Sequence, residues 1–446
     1  MDKDEIKNIQ LAIHDLINKE RYDEALPLIY SVLEEYPNDA ATLNFLGYIW
    51  LMGDKPAFAY QFFRRALQEM PGNKAIWTSL GRAAHELNMY EDALKYFLKS
   101  AELDPTYALA YSNAAATLVQ TSKWDDAEKA CKMALECNPN DLHGQLNLAH
   151  SYLAKGEWDK GWAEWHKSLG GKFRKEWVYG DEVRWDGTKD KTLIIYGEQG
   201  LGDEIFYGSC IPDAIKDSKQ VYIDCDPRLE GLFKRSFPEA EVHGTRKEDS
   251  PEWLADKKFD YRCAIGGLPQ FFRHTNKDFP GTPYLKADPE RRTMWRGLFD
   301  SWGKKVIGLT TKGGIKHTNA KGRELTQEDI EPLLKLKDYV IVSLDYSVER
   351  KLDGVKYFDF ATSAKDYDDT AALIAECDLV LGVNTTAQHC AAAMGVKTWC
   401  LVPTWHQWRY AQPSMPWYRH MRIIYQDNDT WKEVINKVAK QLNGTW

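Results

Sequence analysis

Along the first third of the chain, small apolar positions return every 34 residues. Ala25, Ala59, Ala93 and Ala127, followed by Gly161, share one rung, and Pro37, Pro71, Pro105 and Pro139 form a second ladder with the same step. Small residues let paired helices approach closely, and proline cannot continue a helix, so it closes each unit. A period of this length predicts a stacked array of helix pairs over residues 1–170.

After Leu169 the period is lost. Gly170-Gly171 opens a Trp-rich stretch, and short apolar runs follow at Thr192–Tyr196, Gln220–Asp224, Tyr261–Ile265, Lys305–Leu309, Tyr339–Leu344, Leu379–Val383 and Thr398–Val402. Helical stretches separate most of them, which predicts parallel sheets covered by helices. Asp278–Asp288, with Pro280, Pro283 and Pro289 in or beside it, reads as a linker between two Rossmann-like units at 190–288 and 303–430. An amphipathic helix, Trp431–Leu442, closes the chain in segment 431–446.

The second 34-residue unit carries Leu46-Gly47, then Ala59 and Phe63, then Pro71, an order that resembles the tetratricopeptide repeat. Such arrays commonly present a concave surface to a protein or peptide.

Composition narrows the function. A net charge of −8 and a pI near 5.8 give no basic footprint for duplex nucleic acid. The eight cysteines are scattered without a C-x-x-C pair, which predicts reduced residues in a cytoplasmic protein rather than a disulfide or zinc framework. Met1 leads directly into Asp2, Lys3, Asp4 and Glu5, so no signal peptide is expected, and no apolar run is long enough to span a bilayer. Tryptophans gather at 157–185 and 405–417, where they are expected to line a site as well as fill a core.

Two loops carry candidate chemistry. Gly197, Gly200 and Gly202 follow the first strand and open a helix, but their G-x-x-G-x-G spacing reverses the dinucleotide fingerprint and no Gly-Lys-Ser/Thr follows. Asp203 and Glu204 come directly after the last glycine, so this loop presents a carboxylate where a pyrophosphate would otherwise sit. That position alone equally suits a residue that only stabilises the helix start. Later, Leu379–Val383 runs into Asn384, Thr385, Thr386 and His389 and an alanine-rich helix ended by Gly395. Free N–H groups in that first turn suit a phosphate.

From about 192 to 426 the chain resembles the heptosyltransferase-like, family 9-type glycosyltransferases, and specifically bacterial and phage proteins that fuse them to tetratricopeptide repeats. The matching stretches are Gly197–Ile205, Asp369–Ile374, Asp378–Val380, Asn384–His389 with Ala392 and Gly395, and Trp408-Arg409 with Pro416–Tyr418. The resemblance implies a GT-B fold, with the acceptor on the first Rossmann-like unit and a nucleotide sugar on the second. It also implies inversion at the sugar without a metal or other cofactor. Asp203 falls on the family's general base, with Gly200, Gly202 and Glu204 in the same cleft loop. Asn384, Thr385, Thr386 and His389 fall on the donor loop, with Asn where relatives commonly have Asp. Thr310, Thr311, Lys312, Lys316 and Arg323 occupy the region of the diphosphate contacts.

These residue types suit the chemistry. Without a metal, cations, hydroxyls and a helix N-terminus must neutralise the leaving phosphate, and a carboxylate takes the acceptor's proton. The expected acceptor is a protein held by the array, with a glycan or nucleic acid as alternatives. Rival readings are a metal at Asp224-Cys225-Asp226, a dinucleotide enzyme using Asp224, and a repeat scaffold carrying a decayed transferase.

Overall fold

The computed structural model describes residues 1–171, 173–246, 251–313, 321–346, 351–363 and 365–444. Two compact units divide the chain, Met1–Ser151 and Tyr152–Trp446. Among the described residues no helix is long and apolar enough to cross a membrane.

In the first unit helices pair in sequence: Lys3–Asn18 with Tyr22–Glu35, Ala40–Met52 with Pro56–Glu69, Lys74–Glu86 with Tyr90–Leu103, and Ala108–Gln120 with Trp124–Cys137. The chain turns inside each pair on a left-handed residue, Glu20, Asp54, Asn88 and Ser122, so the 34-residue period reappears in the backbone. Ala25, Ala59, Ala93 and Ala127 are fully buried. Their partner rung sets how closely the helices of a pair can approach. A Cβ on Gly47 would stand 2.5 Å from Phe63, and one on Gly81 would stand 2.4 Å from Phe97. In the next repeat the same two register positions hold Ala115 and Cys131, both fully buried. A larger residue on the first helix is thus matched by a smaller one on the second.

The second unit contains two five-stranded sheets. The first comprises β1 (Val183–Arg184), β2 (Thr192–Tyr196), β3 (Gln220–Asp224), β4 (Glu241–His243) and β5 (Tyr261–Ala264), in the order β1-β5-β2-β3-β4. The second comprises β6 (Lys305–Thr310), β7 (Tyr339–Ser343), β8 (Leu379–Val383), β9 (Thr398–Val402) and β10 (Met421–Tyr425), in the order β10-β9-β8-β6-β7. Every pairing is parallel. The central strands are buried on both faces, as a sheet covered by crossover helices requires. Ile307, Leu309, Leu379 and Leu381 pack with Ile330 and Leu333 of helix Gln327–Leu334 and with Val434, Ile435 and Val438 of the closing helix Trp431–Leu442.

Each order reverses once. In the first sheet the chain steps from β2 to β3 and β4, then returns to the other side of β2. In the second it steps from β6 to β7, then returns beside β6. The crevices at these switch points, outside the carboxyl ends of β2 and β5 and of β6 and β8, are where ligands enter open α/β sheets.

Helix Trp158–Lys167 carries Gly161 of the 34-residue ladder, yet it lies in the second unit. Its tryptophans explain why. The indole N–H of Trp158 donates to Asn276 Oδ1 at 2.7 Å, that of Trp162 to the Arg273 carbonyl at 2.8 Å, and that of Trp165 to the Gly266 carbonyl at 2.7 Å. Trp158, Trp162, Trp165, Trp408 and Trp417 are all buried, so the tryptophans expected to line a site build a core instead; Trp405 is the exposed member of that group.

The rung between Gly81 and Phe97 is testable. Gly81→Ala overpacks it and costs about 1–3 kcal/mol, and Phe97→Cys alone leaves a cavity costing several. Combining them reproduces the pairing of the next repeat, so the double variant will exceed additivity by roughly 0.5–3 kcal/mol in urea unfolding. Strict additivity would show that the rung does not set the helix spacing.

Candidate functional site

One cleft of about 1180 Å³ in the second unit is lined by loops at the strand ends of both sheets. Gly200, Gly202 and Asp203 line it from the end of β2, Thr311 and Lys312 from the end of β6, and Asn384, Thr385 and Thr386 from the end of β8. Arg323, His389, Arg409 and Tyr410 complete this part of the wall.

The loop after β2 is held from behind. A Cβ on Gly197 would lie 2.2 Å from Glu204 Oε1, so the backbone passes directly over that buried carboxylate. Glu204 is not a cleft residue, contrary to the expectation from its position. It is fully buried, pairs with Arg246 at 2.6 Å and accepts the Asp226 N–H at 2.9 Å. On helix Leu201–Tyr207, Asp203 and Glu204 are neighbours about 100° apart, so one faces the cleft while the other faces the core. Arg246 also donates to the Gln199 carbonyl, and Glu198 is buried in an ion pair with Arg174 at 3.0 Å. The loop's conformation is therefore fixed by two buried cations.

Asp203 is 25% exposed. Its Oδ2 accepts the Gly200 N–H at 3.2 Å, which is the helix-start role. Its Oδ1 accepts from Arg409 Nη2 at 2.7 Å. Arg409 comes from the segment after β9 of the other sheet, and its guanidinium lies 4.6 Å from the centre of the Phe206 ring. Next to Asp203, a Cβ on Gly202 would come within 2.9 Å of Thr386 Oγ1, so the two helix starts touch and only glycine fits.

Helix Thr386–Ala393 begins at Thr385, whose hydroxyl caps nothing. The first-turn N–H groups have no intrahelical acceptor, and the Asn384 Oδ1 and Thr385 Oγ1 atoms are buried without a protein partner. His389 is buried one turn in, with Nε2 3.1 Å from the Tyr410 hydroxyl. Burial, and then the charge of Arg409, hold its pKa well below the ordinary histidine value.

The segment after β6 divides. Thr310 does not reach the cleft: its hydroxyl donates to the Val383 carbonyl at 2.9 Å and accepts from Gln388 Nε2 at 2.9 Å, locking β6 to the β8 loop. As the last residue of a buried strand, it points into the packing between them. The Thr311 N–H is held by Asp345 at 2.9 Å and the Lys312 N–H by the same carboxylate at 3.3 Å, fixing this turn at the cleft wall. Arg323 lines the cleft but spends Nη1 on the Asn384 carbonyl at 2.9 Å, so it supports the donor loop. Lys316 lies outside the described residues.

The two acids of Asp224-Cys225-Asp226 serve different donors. Asp224 accepts from the Tyr179 hydroxyl at 2.7 Å and from Thr245, while Asp226 accepts from Arg228 at 2.9 Å and Arg246 at 3.0 Å. Among the described residues no group of three or more His, Cys, Asp or Glu is arranged to hold a metal ion.

Arg409 was named in the sequence only as part of a matching stretch. It sits in a single 3₁₀ turn, Trp408–Tyr410, whose distance along the chain from Asp203 carries no periodicity. The adjoining Trp408 was the one signal that this turn is anchored.

Residues 11–74 and 75–107 match the tetratricopeptide repeat family, so this part of the first unit consists of such repeats. Protein FlbA of Caulobacter vibrioides is 26% identical over 436 residues, covering 91% of this chain and 73% of FlbA, so the similarity runs through both units. Protein O-mannosyl-transferase TMTC3 of Homo sapiens is 29% identical over 90 residues, 20% of this chain and 10% of TMTC3. Among solved structures, MamA covers 34% of this chain and 90% of its own at 20% identity, with a TM-score of 0.32 that supports no argument.

His389 makes stability pH-dependent. Its folded pKa is depressed, so the stabilisation is complete above the unfolded value near 6.5 and declines as pH falls below it, because the unfolded chain takes up a proton that the folded one resists. Replacing it by a neutral residue, His389→Gln, will flatten the loss of unfolding free energy between about pH 6.5 and 5 by up to about 1.4 kcal/mol per pH unit. An unchanged slope in urea titrations would mean that His389 is protonated in the native protein.

Proposed function

We propose that this protein is an inverting, metal-independent glycosyltransferase of the GT-B type, moving a sugar from a nucleoside-diphosphate donor to an acceptor hydroxyl. The observation that carries the reading is one cleft lined from the strand ends of both sheets, with Asp203 on one wall and the Thr385-Thr386 helix start on the other. Parallel sheets expose strand-end loops and helix N-termini at the same edge, so two of them facing each other bring a carboxylate opposite an anion site.

In the proposed reaction the acceptor oxygen bonds to the anomeric carbon while the bond from that carbon to the diphosphate breaks. The electron pair leaves with the diphosphate, and the acceptor proton passes to Asp203. Lys312, the threonine hydroxyls and the first-turn N–H groups of helix Thr386–Ala393 take the growing charge on the diphosphate. Metal independence rests on that donor set, and on Asp224 and Asp226 each being engaged by protein donors.

The repeats suggest protein–protein interaction, and we read them as the holder of a protein acceptor. Tethering raises the effective concentration of acceptor at the cleft without adding contacts there. The similarity to FlbA spans the repeats and the α/β unit together, which supports reading them as one working combination. TMTC3 is named a protein O-mannosyl-transferase, but its similarity is confined to 90 residues and supports only the repeats.

Two outcomes test this. Asp203→Asn will alter donor affinity by no more than about fivefold while lowering transfer by roughly 10² or more, and the donor will bind equally well with EDTA in calorimetry. Transfer near the wild-type rate would reduce Asp203 to a helix-start residue, and affinity lost to EDTA would remove metal independence. Separately, removing residues 1–140 will raise the acceptor KM strongly while donor hydrolysis persists. Unchanged acceptor kinetics in a folded truncation would assign the array to assembly or localisation.

A further inference from the structure

On the transferase reading, which this inference rests on, the diphosphate needs cations at the helix start. Among the described residues of the cleft wall, most guanidinium groups have structural duties. Arg228 pairs with Asp226 at 2.9 Å, and Arg323 holds the Asn384 carbonyl. Arg409 differs in its partner: its Nη2 is held by Asp203, a carboxylate of the cleft itself, while its Nε is buried without a hydrogen-bond acceptor. It lines the cleft beside the helix start, because Gly202, adjacent to its partner Asp203, packs on Thr386. The flat faces of Phe206 and Trp408 lie 4.6 and 5.7 Å from its guanidinium. They hold the plane in place without using its N–H groups.

We infer that Arg409 is a catalytic residue that exchanges partners. Without donor it is hydrogen-bonded to Asp203, and with donor it turns its N–H groups to the diphosphate. That exchange couples the two ends of the reaction. The group that stabilises the departing electron pair on the diphosphate is the one that must leave Asp203 before its carboxylate can take the acceptor's proton. The cleft then bares its base only once a diphosphate is present. It also supplies the leaving group with a cation beyond Lys312, Lys316 and Arg323, the ones the resemblance implies.

The test uses the whole chain and calorimetry with uridine, guanosine, adenosine and cytidine diphosphates and the four matching nucleosides. Arg409→Gln will weaken the preferred diphosphate roughly tenfold to hundredfold and leave the nucleoside unaffected, as expected for a lost hydrogen bond to a charged group. Asp203→Asn, which removes the competing charge, will tighten the diphosphate about twofold to fivefold, and only while Arg409 is present. If Arg409→Gln does not fold, Arg409→Lys keeps the charge without the fork and will show a smaller loss in the same direction. Equal diphosphate affinity in wild type and variant, or parallel loss of diphosphate and nucleoside, overturns the inference while leaving the transferase reading standing. Failure of the wild type to bind any of the four diphosphates overturns both.

Discussion

One aromatic ring organises the cleft. Phe206 stacks on Trp417 with ring centres 4.2 Å apart, meets His389 edge-on at 5.3 Å and carries the Arg409 guanidinium at 4.6 Å. It belongs to the first sheet's helix, whereas the other three come from the second sheet's loops and helix. Because Phe206 lies one helical turn beyond Asp203, whatever fixes the ring fixes the carboxylate. Behind it, Trp162 and Trp408 stand edge to face at 5.9 Å, extending the packing to helix Trp158–Lys167. Such pairs contribute roughly 0.5–1.5 kcal/mol each beyond buried area. Packing against the Phe206 and Trp408 rings also lowers the local dielectric around the Arg409–Asp203 pair and strengthens it.

Polar groups follow the same division between support and exposure. Buried charges behind the loop after β2 are all paired, Glu204 with Arg246 and Glu198 with Arg174. An unpaired buried charge would cost several kcal/mol, so these pairs explain how the chain can hold a sharp turn over a carboxylate. At the cleft wall Asn384 Oδ1, Thr385 Oγ1 and Arg409 Nε are buried without hydrogen-bond partners, as Arg174 Nε and Glu204 Oε1 are behind the loop.

What the sequence revealed depended on periodicity. The helix pairs were legible because one period repeats through eight helices, and seven strands because buried parallel strands are continuous apolar runs. The strands it missed were β1, β4 and β10. The first two have two and three residues, and β10 is a half-exposed edge whose MRIIY run opens with a polar second position. In the site, residues adjacent to strand ends were found, since glycine and hydroxyl residues at those positions have a local reason to be there. Which way each side chain points was not legible for Thr310 or Glu204, because one residue along a strand or helix separates cleft from core. The Trp158–Lys167 helix keeps the ladder's register at Gly161 while its tryptophans pack within the second unit, a contact that the period does not reveal. Arg409 was out of reach for a further reason: its partner is 206 residues away and in contact only through the folded sheets.

The exchange of Gly and Phe for Ala and Cys along the repeats has a genetic consequence. Each 34-residue segment has the same length and the same turn at Glu20, Asp54, Asn88 or Ser122, so unequal crossing-over between them would preserve reading frame and backbone geometry. It would not preserve volume. A crossover that falls between the two helices of a pair could join the helix of Gly81 to the helix of Cys131, leaving space that Phe97 fills in its own pair. The reciprocal product would drive Phe97 against Ala115. A void of that kind costs on the order of 3 kcal/mol or more, a large part of a domain's stability. A breakpoint between pairs keeps each matched rung together, whereas one inside a pair breaks it wherever the two repeats differ there, as those of Gly81 and Ala115 do and those of Gly47 and Gly81 do not.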